Sequence, residues 1–183
     1  FLCGVIAFSL VFNSCKNEDP AFNAPLFTNM GTFEVPITTQ SEHARKFFTQ
    51  GLVLANAFNH AEAARSFREA IRLDSTSAMP HWGLAYVLGP NYNTNSDQGD
   101  TKEIQTAVKH AVEYGKQAQG WEQSLIQALA VKFPDGSDTD EEAYASAMGK
   151  AYQEFPENDI IVTLFAESLM NLHAWDLYTR KGG

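Results

Sequence analysis

The sequence predicts an all-α fold: a solenoid of antiparallel helix hairpins, with about seven helices in about three and a half hairpins. Three observations predict it. Phe47, Gly51 and Leu54, then Ala63, Phe67 and Ala70, place large and small residues at helical spacing on either side of a break. Part of that pattern returns about 34 residues further on, one repeat length for a two-helix unit, with Ala85 in the place of Gly51 and Leu88 in the place of Leu54. Capping pairs and breakers punctuate the apolar stripes throughout.

Taken in order, Pro20, Pro25 and Pro36 mark residues 16 to 38 as a tether, with an extended piece at Thr32-Phe33-Glu34-Val35. Thr39 with Glu42 reads as a capping box opening the first helix. Its stripe is Phe47, Phe48, Gly51, Leu52, Leu54 and Ala55. Asn59 with Glu62 sets the second start and puts the turn near Phe58, and this helix ends near Leu73. The third helix is expected over Ala78 to Leu88, stopped by Gly89-Pro90. A polar loop follows. Asp97 falls where Ala63 predicts a small residue, and the small residues resume only at Ala107 and Ala111, so the loop is an insertion. Further helices are expected over Thr101 to Gln117 and Glu122 to Phe133, the latter broken by Pro134-Asp135-Gly136. Thr139 with Glu142 opens a helix bearing Ala143, Ala147 and Ala151. After Pro156 the last helix carries Val162, Phe165, Ala166 and Leu169. Small residues at Gly51, Ala63, Ala85 and Ala166 are expected to let helices approach, with Phe67 and Phe165 filling the gaps.

The spacing around Phe47–Ala70 resembles the tetratricopeptide repeat, which implies a right-handed solenoid with a groove lined by the first helix of each hairpin. A more particular likeness runs from Phe58-Asn59-His60 and Arg65-Ser66-Phe67 through Ala78-Met79, Trp82-Gly83 and Gly89-Pro90-Asn91, and again at Leu169-Met170-Asn171-Leu172 and Trp175-Asp176. These phrases resemble a group of secreted or lipid-anchored bacterial tetratricopeptide-repeat proteins of unassigned activity, over about residues 26 to 178. Some members carry cysteines around the Ala-Met phrase. Here Ser or Pro holds those places, which argues against a thiol metal site.

Composition bounds the function classes. Hydrophobic content of 44% against 19% charged lets the chain bury a core. A net charge of −9 repels phosphate backbones, so no nucleic-acid partner is expected. The run Phe1 to Phe12 is apolar but too short to span a bilayer, which takes about 20 residues. It reads as a truncated signal peptide over residues 1–14. Cys15 after it resembles a bacterial lipoprotein cleavage site, and Lys16-Asn17-Glu18-Asp19 resembles a surface-export tag. An ordinary signal cut near Asn13 and a buried N-terminal helix are the alternatives. The expectation is a lipidated N-terminus and tether over 15–38 and a helical domain over 39–183, incomplete at its C-terminus. This places the chain in the bacterial cell envelope as an outer-membrane lipoprotein, facing the periplasm or the cell surface.

Standard inner-face positions give a candidate groove of Arg45, Phe48, Leu52, Asn56, Met79, Trp82, Tyr86, Glu167 and Asn171. Its expected occupant is a peptide or protein partner. Trp82 and Tyr86 suit stacking on a peptide or a sugar, which makes glycan capture an alternative, and they equally suit sealing the next hairpin. His60 beside Glu62 reads as packing and capping. A metal-binding or hydrolytic enzyme using His60, His81 and His173 is a third reading, but no pair has the i, i+4 spacing of a helical metal site. The acidic run Asp135 to Glu142 offers oxygens to calcium without the ligand order of an EF-hand, and it equally complements a helix dipole. No phosphate loop, nucleophile elbow or zinc-protease phrase is present. No cofactor and no catalytic residue is assigned.

Overall fold

The computed structural model describes residues 24–93, 100–134 and 139–176. These fold as seven α-helices and one 3-10 turn, and among the described residues there is no β-strand. The helices are α1 (Glu42–Asn56), α2 (His60–Leu73), α3 (Ala78–Leu88), α4 (Thr101–Tyr114), α5 (Gly120–Lys132), α6 (Glu141–Glu154) and α7 (Asp159–Asn171). The 3-10 turn, Gly115–Gln117, finishes the segment that the sequence predicts as one helix to Gln117. Each helix packs on the next in sequence. Contacts also join α1 to α3 and α3 to α5.

Two of the expected caps lie two residues or one residue further along. Ser41, not Thr39, caps α1 by accepting from Ala44 N, while the Thr39 hydroxyl is drawn instead to Asp74 Oδ2 at 2.6 Å. Asp140, not Thr139, caps α6 by accepting from Ala143 N at 2.8 Å. Asn59 stands at the N-cap of α2 but makes no side-chain cap bond. A capping box that the sequence reading passed over opens α5, where Gln119 pairs with Glu122.

Packing follows the small-against-large logic, with one exchange of partner. Phe67 on α2 is fully buried and lies against Gly51 of α1 on one side and Gly83 of α3 on the other. A Cβ at either glycine would sit 2.6 Å or 2.5 Å from Phe67 Cε1. Gly83, rather than Ala85, is therefore the residue that admits the ring. Phe48 tilts against the same ring at a 5.6 Å centroid distance. Phe165 meets Gly149 across α6 and α7, as a filler should. The expected face of α7 is corrected: Ile161, Leu164 and Ser168 are buried, whereas Val162, Ala166 and Leu169 are exposed. Its buried face is set by α6, the one helix with which it shares extensive contacts.

The stretch before α1 is packed rather than free at its C-terminal end. Val35 and Ile37 are buried in the main core. Gln50, itself buried, accepts from Phe27 N and donates to Pro25 O and Ser66 Oγ. Thr38 donates from its backbone and its hydroxyl to the two carboxylate oxygens of Glu122, at 2.7 Å and 2.6 Å. Its carbonyl accepts from Ser77 Oγ at 2.8 Å. One residue thus ties the lead-in segment to α5 and to the turn before α3.

Candidate functional site

A cleft of about 490 Å³ opens where the end of α1, the start of α2 and the end of α3 face α7. Its walls include Asn56, Phe58, His60, Tyr86, Tyr92 and Val162, with Ala166, Glu167 and Met170 along the helix opposite. A second hollow of about 310 Å³, lined by Phe33, Leu52, Val53 and Ile160, adjoins it through the shared residues Asn56 and Thr163. Together they form a groove along α7.

The local chain explains each wall. α1 ends in a Schellman motif: Phe58 N donates to Ala55 O and Asn59 N to Leu54 O, both at 2.9 Å. The motif needs a left-handed residue, and Phe58 supplies it at φ 59° where glycine is usual. An aromatic there is strained, and its ring, 66% exposed, lines the mouth of the cleft. Trp175 is the other left-handed non-glycine residue among the described ones, at φ 64°. Its backbone N–H donates to Tyr92 Oη at 3.3 Å, and its ring lies 5.3 Å from that of Tyr92. Both strained aromatics therefore flank one cleft.

Inside, Tyr86 Oη donates to Glu167 Oε2 at 2.5 Å. The Tyr86 ring stacks on Trp82, 5.3 Å away and within 6° of parallel. Burial pushes the Tyr86 phenol well above its ordinary pKa, and the Glu167 charge pushes it further, so it stays a neutral donor. Burial lowers the pKa of His60, and Glu167 opposes that shift by favouring the imidazolium. Both ring nitrogens of His60 are buried with no hydrogen-bond partner among the described residues. Asn171, one turn beyond Glu167, has a buried Oδ1 in the same condition.

Of the nine residues expected to line a groove, Asn56, Tyr86 and Glu167 line the cleft and Leu52 lines the adjoining hollow. Phe48, Met79 and Trp82 are corrected to core positions, at 0% to 1% exposure. Their faces are covered by neighbouring helices: Phe48 meets Phe67, and the Trp82 indole donates to Leu125 O of α5 at 3.2 Å. Trp82 thus seals the next hairpin and offers no platform to a ligand. Leu52 is 3% exposed and forms part of the floor of the adjoining hollow. Arg45 is half-buried, bonds Glu42 within its own helix, and lines a separate hollow against residues 26–34. Asn171 is half-buried beside the cleft rather than among the residues that line it.

The three histidines are not assembled. His60 lines the cleft. His81 is buried on α3, bonded to Ser75 O at 2.9 Å and packed against His110 at 5.1 Å. His173 is exposed after α7. No group of three His, Cys, Asp or Glu among the described residues is placed to hold a metal ion. Cys15 and the acidic residues Asp135 to Asp138 lie outside the described residues. Phe58, Tyr92, Val162 and Met170 were missed as site residues. The spacing of Val162, Ala166 and Met170 around Glu167 is the sequence signal that would have found three positions on one exposed face.

No family model, curated protein or solved structure matches this chain.

Proposed function

We propose that this chain is a protein- or peptide-binding scaffold built as a tetratricopeptide-like solenoid, held in the bacterial cell envelope by a lipid on Cys15. The solenoid reading is supported by the contact of each helix with its sequence neighbour and of α1 with α3 and α3 with α5. The observation that carries the function is the groove along α7. It combines exposed apolar side chains, Val162 and Met170, with buried polar atoms of His60 that have no hydrogen-bond partner among the described residues. Buried polar groups ordinarily find partners, so atoms left without one beside an open apolar cleft suit a bound chain that supplies them.

A photo-crosslinking residue at Val162, inside the cleft, and one at the exposed Glu157, outside it, test the reading in the native cells. A partner band at position 162 and none at 157 is the expected result. Equal bands at both, or none at 162, would remove the groove as the binding surface. Metabolic labelling with a fatty acid, lost in Cys15→Ser, tests the anchor. Glycan capture remains a second reading because Trp175 is 76% exposed and lies on Tyr92, an arrangement on which a sugar ring can stack.

A further inference from the structure

We propose that the cleft between α3 and α7 receives a basic side chain, arginine or lysine, of the peptide partner, with Glu167 as its counter-charge and the rim aromatics enclosing its stem. This deepens the scaffold reading above and rests on it.

Charge comes first. Glu167 is the one charged side chain among the described residues that line the cleft. The chain as a whole carries a net charge of −9, so the field outside favours a cationic partner as well. His60 is the other titratable base in the cleft, and burial keeps it neutral near pH 7.5, so no fixed cation competes for the carboxylate. The elements packed around the cleft bring no lysine or arginine to its lining among the described residues. Tyr86 is held as a neutral donor.

Hydrogen bonding points the same way. Tyr86 engages Glu167 Oε2, and Oε1 has no hydrogen-bond partner among the described residues. The donor holds the carboxylate in one orientation and leaves one oxygen for a guest. The neutral imidazole of His60 offers one acceptor nitrogen and one donor, both unpaired among the described residues. A guanidinium or ammonium brings several donors at once, which is the complement such acceptors lack.

Shape is the third consideration. The volume of about 490 Å³ suits a long side chain and its flanking backbone. Phe58 and Tyr92 stand at the rim, with Met170 and Val162 along α7. Basic side chains bury their aliphatic stems on such surfaces while the charged head is paired, and a cation near an aromatic face gains further attraction. A glutamate or aspartate guest would place a second carboxylate beside Glu167 and is disfavoured.

The test is an NMR titration of the isotope-labelled chain at pH 7.5. The probes are a capped alanine-arginine-alanine tripeptide, its lysine counterpart, and its citrulline counterpart, which keeps the shape of arginine without the charge. Saturable shifts at the amides of Phe58, Thr163 and Glu167 are expected with the arginine and lysine peptides. Citrulline, or Glu167→Gln in the protein, is expected to weaken binding by about tenfold or more, while Glu157→Gln changes nothing. Citrulline binding as tightly as arginine, Glu167→Gln leaving affinity intact, or no saturable shift at these amides would each overturn the proposal. A partner crosslink at position 162 that survives Glu167→Gln would also overturn it while leaving the scaffold reading in place, so the two failures are distinguishable.

Discussion

Adding one methyl group to α1 should destabilise this protein, although the same change in an ordinary helix stabilises it. Gly51→Ala places a Cβ 2.6 Å from Phe67 Cε1 and 2.8 Å from Cδ1 and Cζ. Ordinary contact for such an atom begins at 3.4 Å. The ring has little room to yield. It is fully buried, Phe48 packs against it, and the same ring atoms fill the space beside Gly83 of α3, where a Cβ would sit 2.5 Å from Cε1. Overpacking of this kind costs about 1–3 kcal/mol. Replacing glycine by alanine inside a helix returns about 1 kcal/mol. The expected net change is a loss of up to about 2 kcal/mol for Gly51→Ala and the same for Gly83→Ala.

The decisive measurement is a double-mutant cycle with Phe67→Ala, read by urea denaturation followed by circular dichroism. Phe67→Ala alone should cost about 3–5 kcal/mol. With the ring gone, the new methyl meets space, so Gly51→Ala should change sign and stabilise by about 1 kcal/mol. The coupling between the two sites should be about 1–3 kcal/mol. If Gly51→Ala stabilises the parent chain, or has the same effect with and without the ring, the wedge account of this core is wrong.

Three further outcomes are expected. Glu122→Ala should lower stability by about 3 kcal/mol or more in denaturant melts, because it strands the Thr38 amide and hydroxyl and the Gln119 amide, which donate to it from 2.6 to 2.7 Å. Lys132, whose side chain is 3% exposed, pairs with Glu141 at 3.1 Å; Lys132→Met should cost about 3 kcal/mol, and adding Glu141→Gln should restore much of it, since the loss comes from the carboxylate left behind. Thermal melts should show stability declining as pH falls below 6.5: burial lowers the pKa of His60 and His81 in the folded state, so the unfolded chain takes up protons that the fold refuses, and His81→Gln should flatten that slope. Asp74, whose hydrogen bonds from Thr39, Gln40 and Thr76 overcome burial to lower its pKa, adds its own loss only below 3.8.

Helix positions were legible because they rest on local chemistry. The bounds of α3 follow directly from the apolar run between Ser77 and the Gly89-Pro90 stop, and the end of α2 at Leu73 follows from its stripe. Caps were legible only in kind. Thr and Ser at 39 and 41, or Thr and Asp at 139 and 140, compete for the same role, and the loser is taken up elsewhere, as Thr39 is by Asp74, 35 positions along the chain. The groove was least legible. An idealised repeat gives inner-face positions, but whether such a face is open depends on what crosses it. Phe48 and Trp82 are covered by contacts with α2 and α5, and Leu52 lies in a floor near Phe33 of the lead-in segment. Those contacts are long-range, and no periodicity encodes them.

α3 shows how the cleft gets its shape. Every one of its residues except Tyr86 is buried, so its apolar character cannot choose which side faces which neighbour. Directional contacts make that choice. Gly83 must meet Phe67, the Trp82 indole must reach Leu125 O, and His81 must reach Ser75 O. Residues 81, 82 and 83 point in three directions about 100° apart, which fixes the rotation of the helix. Tyr86, four residues after Trp82, is then carried to the one uncovered side, where it stacks on Trp82 and meets Glu167. The packing that stabilises the middle of the molecule is thus the same packing that aims the phenol at the carboxylate. Loosening it at Gly83 should disturb the cleft as well as the core.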